Sequence, residues 1–213
     1  MLTVNEIFHS IQGESTRAGS PCVFIRLTAC DLRCTWCDTP YAFHEGRKQS
    51  VDDVVAEVDR IGCPLVEVTG GEPLLQADVY PLMETLLSRG YTVLVETGGH
   101  VSIARIPPEV LKIVDVKCPG SGEAHRNDWE NFDRLASHDE IKFVIKDRGD
   151  YDFARDVIER HRLIGRCAAV LFSPVHGVLE PSALAAWVLA DRLPVRVQLQ
   201  LHKYIWSPTA RGV

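Results

Sequence analysis

Short apolar, β-branched runs alternate with helical patterns along most of the chain, and this alternation limits the fold more than any other feature. CVFIRLT (22–28), PLVEVTGG (64–71), YTVLVETGG (91–99), LKIVDVKCPG (111–120), EIKFVIKD (140–147), RCAAVLFSPVHG (166–177) and VRVQLQLHK (195–203) read as strands. Residues 50–62, 74–90, 128–136, 151–162 and 181–193 read as helices. Ser50 suits the cap of the first helix, Gly62 its end, and Pro181 the start of the last. Strands separated by helices cannot pair through tight hairpins, so the sheet is mostly parallel. About seven strands and five helices fall one or two units short of a closed eight-fold barrel. The link from Gly98 to Leu111 is too rich in proline for a full helix. The expected architecture is a single-domain, partial TIM-like α/β barrel over residues 1–213, with LTVNEIFHS (2–10) adding an antiparallel strand at the edge.

In parallel α/β folds ligands bind beyond the C-terminal ends of the strands. That rim collects the unusual residues here. ACDLRCTWCDT follows the first core strand, TGGEP the second, ETGG the third, KCPG the fourth, SPVHG the sixth and HK the last. Their shared placement carries more weight than any one motif.

Within ACDLRCTWCDTP, Cys30, Cys34 and Cys37 are spaced C-x3-C-x2-C. The other four of the seven cysteines, Cys22, Cys63, Cys118 and Cys167, stand alone and read as small buried hydrophobes. MLTVNEIFHSIQGEST has no basic region followed by a long apolar run, and no apolar run elsewhere would span a bilayer. The expected location is the cytoplasm, where a disulfide framework is not formed. With 23 basic and 29 acidic residues, a net charge of −6 and no Lys/Arg run, nucleic acid is not an expected partner. Three thiolates on a tight loop can hold three irons of a [4Fe–4S] cluster, leaving the fourth iron open to an outside ligand. The alternative is zinc completed by a distant histidine or cysteine, although zinc sites more often use paired C-x2-C units.

The cysteine loop, with an aromatic residue (Trp36) before its third cysteine, and the glycine turn TGGEP resemble the radical S-adenosylmethionine superfamily. That resemblance implies a [4Fe–4S] cluster on Cys30, Cys34 and Cys37. It also implies S-adenosylmethionine on the fourth iron and a 5′-deoxyadenosyl radical as the reactive species. FHSIQGEST (8–16), CVFIRLTACDLRCTWCDTPYAF (22–43), TGGEPLLQ (69–76), VETGG (95–99), DVKCPGSGE (115–123) and QLHKYIWSP (200–208) are together similar to the 7-carboxy-7-deazaguanine synthases of queuosine and deazapurine biosynthesis. The implied reaction is a radical ring contraction of 6-carboxy-5,6,7,8-tetrahydropterin to 7-carboxy-7-deazaguanine with loss of ammonia. Hydrogen taken from C6 of the pterin is returned, so the cofactor acts catalytically, and Mg²⁺ organises the substrate carboxylate. A homodimer and an electron donor such as flavodoxin are also implied.

By position, Ile11, Gln12, Gly13 and Glu14 match the pterin-binding segment, whose amide and carboxylate groups suit a donor–acceptor edge. Arg26 matches the residue that meets the substrate carboxylate, Thr69 a further substrate contact, and Thr39 the Mg²⁺ ligand. Trp36, Asp38, Gly70, Gly71, Glu72 and Glu96 match cofactor contacts, the glycines exposing backbone for close approach. Lys117, Cys118 and Pro119 align with one cofactor-binding turn, and Ser173, Pro174, Val175 and His176 with another. Ser15 stands where the family commonly has glycine, K-C-P replaces S-P-K, and TARGV follows Pro208. His202 and Lys203 fit a surface pair as readily as a site. Two other readings remain: a small activase that installs a glycyl radical on a partner protein, and a non-catalytic Fe–S or zinc module. Gln12, Glu14 and Arg26 favour a small-molecule pocket over the activase, and TGGEP and ETGG on the same rim count against the module.

Overall fold

The computed structural model describes residues 1–213. Its strands are β1 (Leu2–Ile11), β2 (Pro21–Leu27), β3 (Arg47–Gln49), β4 (Leu65–Gly70), β5 (Thr92–Thr97), β6 (Leu111–Val116), β7 (Glu140–Ile145), β8 (Ala169–Pro174) and β9 (Arg196–Val197). They form one sheet in the order β3-β1-β2-β4-β5-β6-β7-β8-β9. From β2 through β4 to β9 every pairing is parallel, while β1 is antiparallel to both β2 and β3. β3 and β9 are the two free ends, so the sheet is an incomplete barrel, as expected. The N-terminal strand is not the edge, because β3 pairs outside it.

The helices are α1 (Val51–Ile61), α2 (Val79–Ser88), α3 (Arg148–His161), α4 (Pro181–Asp191) and α5 (His202–Ile205). Ser50 and Asp53 form a capping box on α1, and Gly62 closes it at φ 76°. Val54, Val55 and Val58 of α1, Leu82, Met83 and Leu86 of α2, and Tyr151, Ala154 and Val157 of α3 join the sheet in one cluster of 43 buried residues. No helix is long and apolar enough to cross a membrane.

Several boundaries differ from the expected ones. The 74–90 helix begins only at Val79, so Pro81 falls in the first turn, where its missing N–H has no partner to lose. Residues Trp129–Arg134 form a 3₁₀ helix. α3 starts at Arg148, because the Asp147 side chain accepts from Asp150 N and caps it there. The expected strand over 195–203 lasts two residues. Beyond Val197 the amides leave the ladder: Leu201 N donates to Gly13 O at 3.0 Å, and α5 follows.

Candidate active site

A strand of a parallel sheet covered on both faces is normally apolar throughout. Here one face carries polar and charged side chains at alternate positions. Arg26 of β2 lies in register with Thr69 of β4, and Asp115 of β6 with Lys142 of β7. Glu67 and Glu96 share that face. Val66, Val68, Val95, Ile141 and Phe143 point the other way into the core. Lys142 Nζ lies 3.0 Å from Glu14 Oε2 and 3.8 Å from Asp115 Oδ2, and it also pairs with Glu96. Burial alone would neutralise this lysine. Glu14, Glu96 and Asp115 outweigh that effect and hold its pKa well above the ordinary value. Glu67 has no cation in contact; it accepts a hydrogen bond from Gln12 Nε2. Burial, then the Glu96 and Glu14 charges, push its carboxyl well above the usual range.

The cysteine loop leaves β2 at Leu27 and turns through Ala29, whose φ is 82°. The glycine turn grips it. Gly71 N donates to Leu27 O at 3.0 Å and Glu72 N to Ala29 O at 2.7 Å. A β-carbon on Gly70 would lie 2.3 Å from Leu27 O, and one on Gly71 would lie 2.3 Å from Ala29 O. These glycines are therefore required by packing, besides any exposure of backbone to a ligand. The buried Glu72 carboxylate accepts from Leu74 N, Thr97 Oγ1 and Gly98 N at 3.0, 2.9 and 2.7 Å, tying TGGEP to ETGG. The KCPG turn joins as well, since Thr35 Oγ1 donates to Gly120 O at 2.9 Å.

All three thiols are partly exposed. Cys30 Sγ accepts from Leu32 N at 3.4 Å. Burial pushes the Cys34 thiol up to about 11 although Lys117 opposes it, so iron would have to displace a proton there. No three Cys, His, Asp or Glu side chains are gathered at single-ion distances. A [4Fe–4S] cluster asks instead for one thiolate per iron around a cube, and this donor set suits it. Thr39 precedes the 3₁₀ helix Pro40–Phe43 without capping it, so its hydroxyl is not bonded to that helix.

The QGE segment lies at the opposite end from the rim, because Ile11 pairs with Pro21 at the start of β2. It forms a floor. Gln12 is buried with both ends of its amide engaged, Nε2 to Glu67 and Oε1 accepting from Glu14 N at 2.8 Å. Its side chain therefore shapes the loop, with one of the two amide hydrogens committed to Glu67. Glu14 points inward and also accepts from Gln198 Nε2 at 3.3 Å and Gln200 Nε2 at 2.8 Å. Ser15 adopts φ 63°, a left-handed geometry that glycine takes more easily. Its N–H donates to Gln198 Oε1 at 2.8 Å, and Thr16 N–H donates to the Glu140 carboxylate.

Residues 198–203 connect this floor to the rim. The His202 ring fills the space beside Gly13, where a β-carbon would lie 2.3 Å from Nδ1. Lys203 Nζ sits 2.9 Å from Asp38 Oδ2, one residue past Cys37. Burial works against the Asp38 charge, but Lys203, Lys142 and Gln200 hold its pKa below the usual value. His202 and Lys203 are thus partly buried between floor and rim and are not a pair on the open surface.

Arg26 is aimed by its neighbours. Its Nε donates to Glu6 Oε1 at 2.8 Å, and Tyr41 OH donates to the same oxygen at 3.0 Å. The terminal nitrogens make no hydrogen bond within the protein. Lys117 pairs with Asp115 at 2.9 Å, Cys118 is buried, and Pro119 opens a 3₁₀ turn. Ser173 and Pro174 end β8, Val175 is buried, and His176 is exposed with its ring edge-on to Tyr204. Trp36 is half-buried within the cysteine loop. The sequence reading missed Glu6, Glu67, Asp115, Lys142, Gln198 and Gln200. For the strand residues the signal was a charge inside each apolar run: Glu67 in LVEVT, Glu96 in VLVET, Asp115 in IVDVK and Lys142 in EIKFV.

The radical SAM superfamily profile matches residues 24–166. The chain is 50% identical to a 7-carboxy-7-deazaguanine synthase of Koribacter versatilis over the full length of both proteins. It is 48% identical to that of Chlorobaculum tepidum, covering all of this chain and 97% of the relative. Among solved structures, QueE from Escherichia coli superposes with a TM-score of 0.77 over 93% of each chain at 24% identity, a likeness of fold. TYW1 with a lysine-pyruvate adduct gives a TM-score of 0.57 at 13% identity, over 82% of this chain and 74% of that one. The chain belongs to the radical SAM superfamily and, within it, to the 7-carboxy-7-deazaguanine synthases.

Proposed function

We propose that the chain converts 6-carboxy-5,6,7,8-tetrahydropterin into 7-carboxy-7-deazaguanine and ammonia, using Mg²⁺. The observation that carries this reading is 50% identity to a 7-carboxy-7-deazaguanine synthase over the entire chain. With ammonia as the other product, the ring contraction needs no external oxidant. Cys30, Cys34 and Cys37 would hold the [4Fe–4S] cluster. Trp36, Asp38, Gly70, Gly71, Glu72, Glu96, the 117–119 turn and the 173–176 turn would surround S-adenosylmethionine. When bound, these groups supply a radical able to take a hydrogen atom from the pterin.

The remaining work falls to the protein's own side chains. Arg26, oriented through Nε by Glu6, offers its terminal nitrogens to the pterin carboxylate. Thr39 would hold Mg²⁺ through its hydroxyl, a hard ligand for a hard ion. Glu14, fixed by Lys142 and two glutamines, accepts from N–H groups of the pyrimidine ring. Thr69, in register with Arg26, closes the same wall. Residues 198–203 cover the floor and keep water from the reacting centre. The buried polar interior favours a small molecule over the glycyl-radical activase reading. The whole chain acts as one domain, as a homodimer, with a flavodoxin-type electron donor.

The test is anaerobic incubation of cluster-loaded protein with the carboxytetrahydropterin, S-adenosylmethionine, Mg²⁺ and a reductant, followed by mass spectrometry. The expected product is lighter than the substrate by one ammonia. Absence of that product while uncoupled cleavage of S-adenosylmethionine proceeds would overturn the substrate assignment.

A further inference from the structure

His100 follows the ETGG turn and has no part in the assignment above. Its side chain is 1% exposed. Nε2 donates to Asp31 Oδ1 at 2.6 Å, because a carboxylate only accepts. Nδ1 has no hydrogen-bond partner, since Glu72 Oε2 lies 3.7 Å away. A buried nitrogen without a partner is costly, and an apolar ring would fill the space without that cost. Packing alone therefore does not explain the imidazole, and the bond to Asp31 does. Asp31 directly follows Cys30, in a loop that has no helix or strand from residue 30 to 37. Groups outside the loop must then fix it. Arg126 Nη2 donates to the other oxygen of Asp31 at 2.6 Å, so both oxygens are held. The two anchors come from different places, His100 after β5 and Arg126 after β6. Each is itself tied down. Asn131 Nδ2 donates to Gly99 O at 3.2 Å, and Asn127 bonds the N–H and the carbonyl of Lys117, each at 2.9 Å. Glu123 adds a third hold, accepting from Arg33 N at 2.6 Å.

We propose that His100 is a positioning residue for the iron–sulfur centre: through Asp31 it fixes the Cys30 end of the cysteine loop in the geometry that takes iron. Arg126 adds a smaller share, because its pair with Asp31 is 38% and 41% exposed and water screens it. This role rests on the assignment of the cluster to Cys30, Cys34 and Cys37, and not on the identity of the substrate.

The test follows hydrogen exchange at the amides of residues 30–37 in iron-free protein, together with its thermal midpoint. In anaerobically reconstituted protein it follows iron release to a chelator and the paramagnetic signal of the reduced cluster. His100→Phe keeps a ring and removes the donor. Asp31→Ala removes the carboxylate at a side chain that is 41% exposed, and it serves if the phenylalanine variant fails to fold. Asp31→Asn can still accept from His100 while losing the charge that faces Arg126. Loop exchange and iron release should each speed up about tenfold or more in His100→Phe and Asp31→Ala, the scale of a hydrogen bond to a charged group, with an altered paramagnetic signal. Asp31→Asn and Arg126→Gln should stay within about threefold of wild type. Wild-type exchange and iron release in both His100→Phe and Asp31→Ala overturn the proposal. So does faster exchange spread over the whole chain with a lower midpoint and no rescue by asparagine, because His100 would then serve the fold and not the loop. If wild type takes up no iron, the cluster assignment and the role of His100 fall together; if wild type loads iron and the variants match it, only the role of His100 falls.

Discussion

Gly71→Ala tests how the cysteine loop is held. A β-carbon at this position would lie 2.3 Å from Ala29 O and 2.8 Å from Cys30 Cβ. Normal contact lies near 3.5 Å, so about 1 Å must open between the glycine turn and the loop. Little there can yield. Ala29 O is backbone, it already accepts from Glu72 N at 2.7 Å, and Ala29 itself sits at φ 82°. Overpacking of this kind costs about 1–3 kcal/mol, and the displaced atoms adjoin a cluster thiol, so cluster retention should weaken roughly 5- to 160-fold. The fold should survive, because the apolar core is untouched. The assay is anaerobic reconstitution with limiting iron, read as iron and sulfide per chain and as the paramagnetic signal of the reduced cluster. Gly13→Ala is the matched control. Its β-carbon also meets an atom at 2.3 Å, but that atom is His202 Nδ1 at the end of a side chain. Cluster loading should then be normal while pterin binding weakens. If Gly71→Ala loads iron like wild type and loses only affinity for S-adenosylmethionine, the packing argument is wrong and the glycine serves the cofactor alone.

Arg26→Ala should lower the rate with the carboxylated pterin by at least about tenfold, and Arg26→Lys should recover only part, because a point charge cannot reproduce the planar fork. Uncoupled cleavage of S-adenosylmethionine should persist in both; full ring contraction in the alanine variant would misplace the substrate. Thr39→Ala should blunt the Mg²⁺ response more than it weakens cofactor binding, and an unchanged Mg²⁺ titration removes Thr39 from the metal site. Glu67→Gln should change the pH dependence of stability. The folded-state pKa of Glu67 is raised above its ordinary 4.5, so between that value and the folded pKa the native state binds more protons than the unfolded state. Wild-type stability therefore falls as pH rises through that window. Urea midpoints measured from acid toward neutral pH should show Glu67→Gln gaining on wild type, and parallel curves would mean that Glu67 is not held protonated.

The rim was legible in the sequence because its parts are local. A cysteine spacing, two glycine turns and strands ending in Gly or Pro each declare themselves within a dozen residues, and strand–helix alternation then places them together. The cap of α1 was legible for the same reason. The floor was not, because it depends on contacts between distant positions. Glu14 meets Lys142, Gln198 and Gln200, and nothing local to QGE names those partners. VRVQLQLHK misled because its alternation fits a strand. In the fold, Gln198 and Gln200 are instead drawn to the loop after β1, and Leu201 N–H bonds to Gly13 O. The inner acids and Lys142 left a readable trace, since a charge within an otherwise apolar run contradicts a strand buried in apolar surroundings on both faces.

The strap of residues 198–203 between floor and rim bears on how the molecule is made. Synthesis runs from the N-terminus, so Cys30 to Cys37 and the TGGEP turn leave the ribosome long before Gln198, Gln200, His202 and Lys203. The iron-binding half of the site has its partners early. Glu14, Gly13 and Asp38 wait for the strap. During that interval a nascent chain would hold the cysteine loop and the glycine turn against each other without a closed interior.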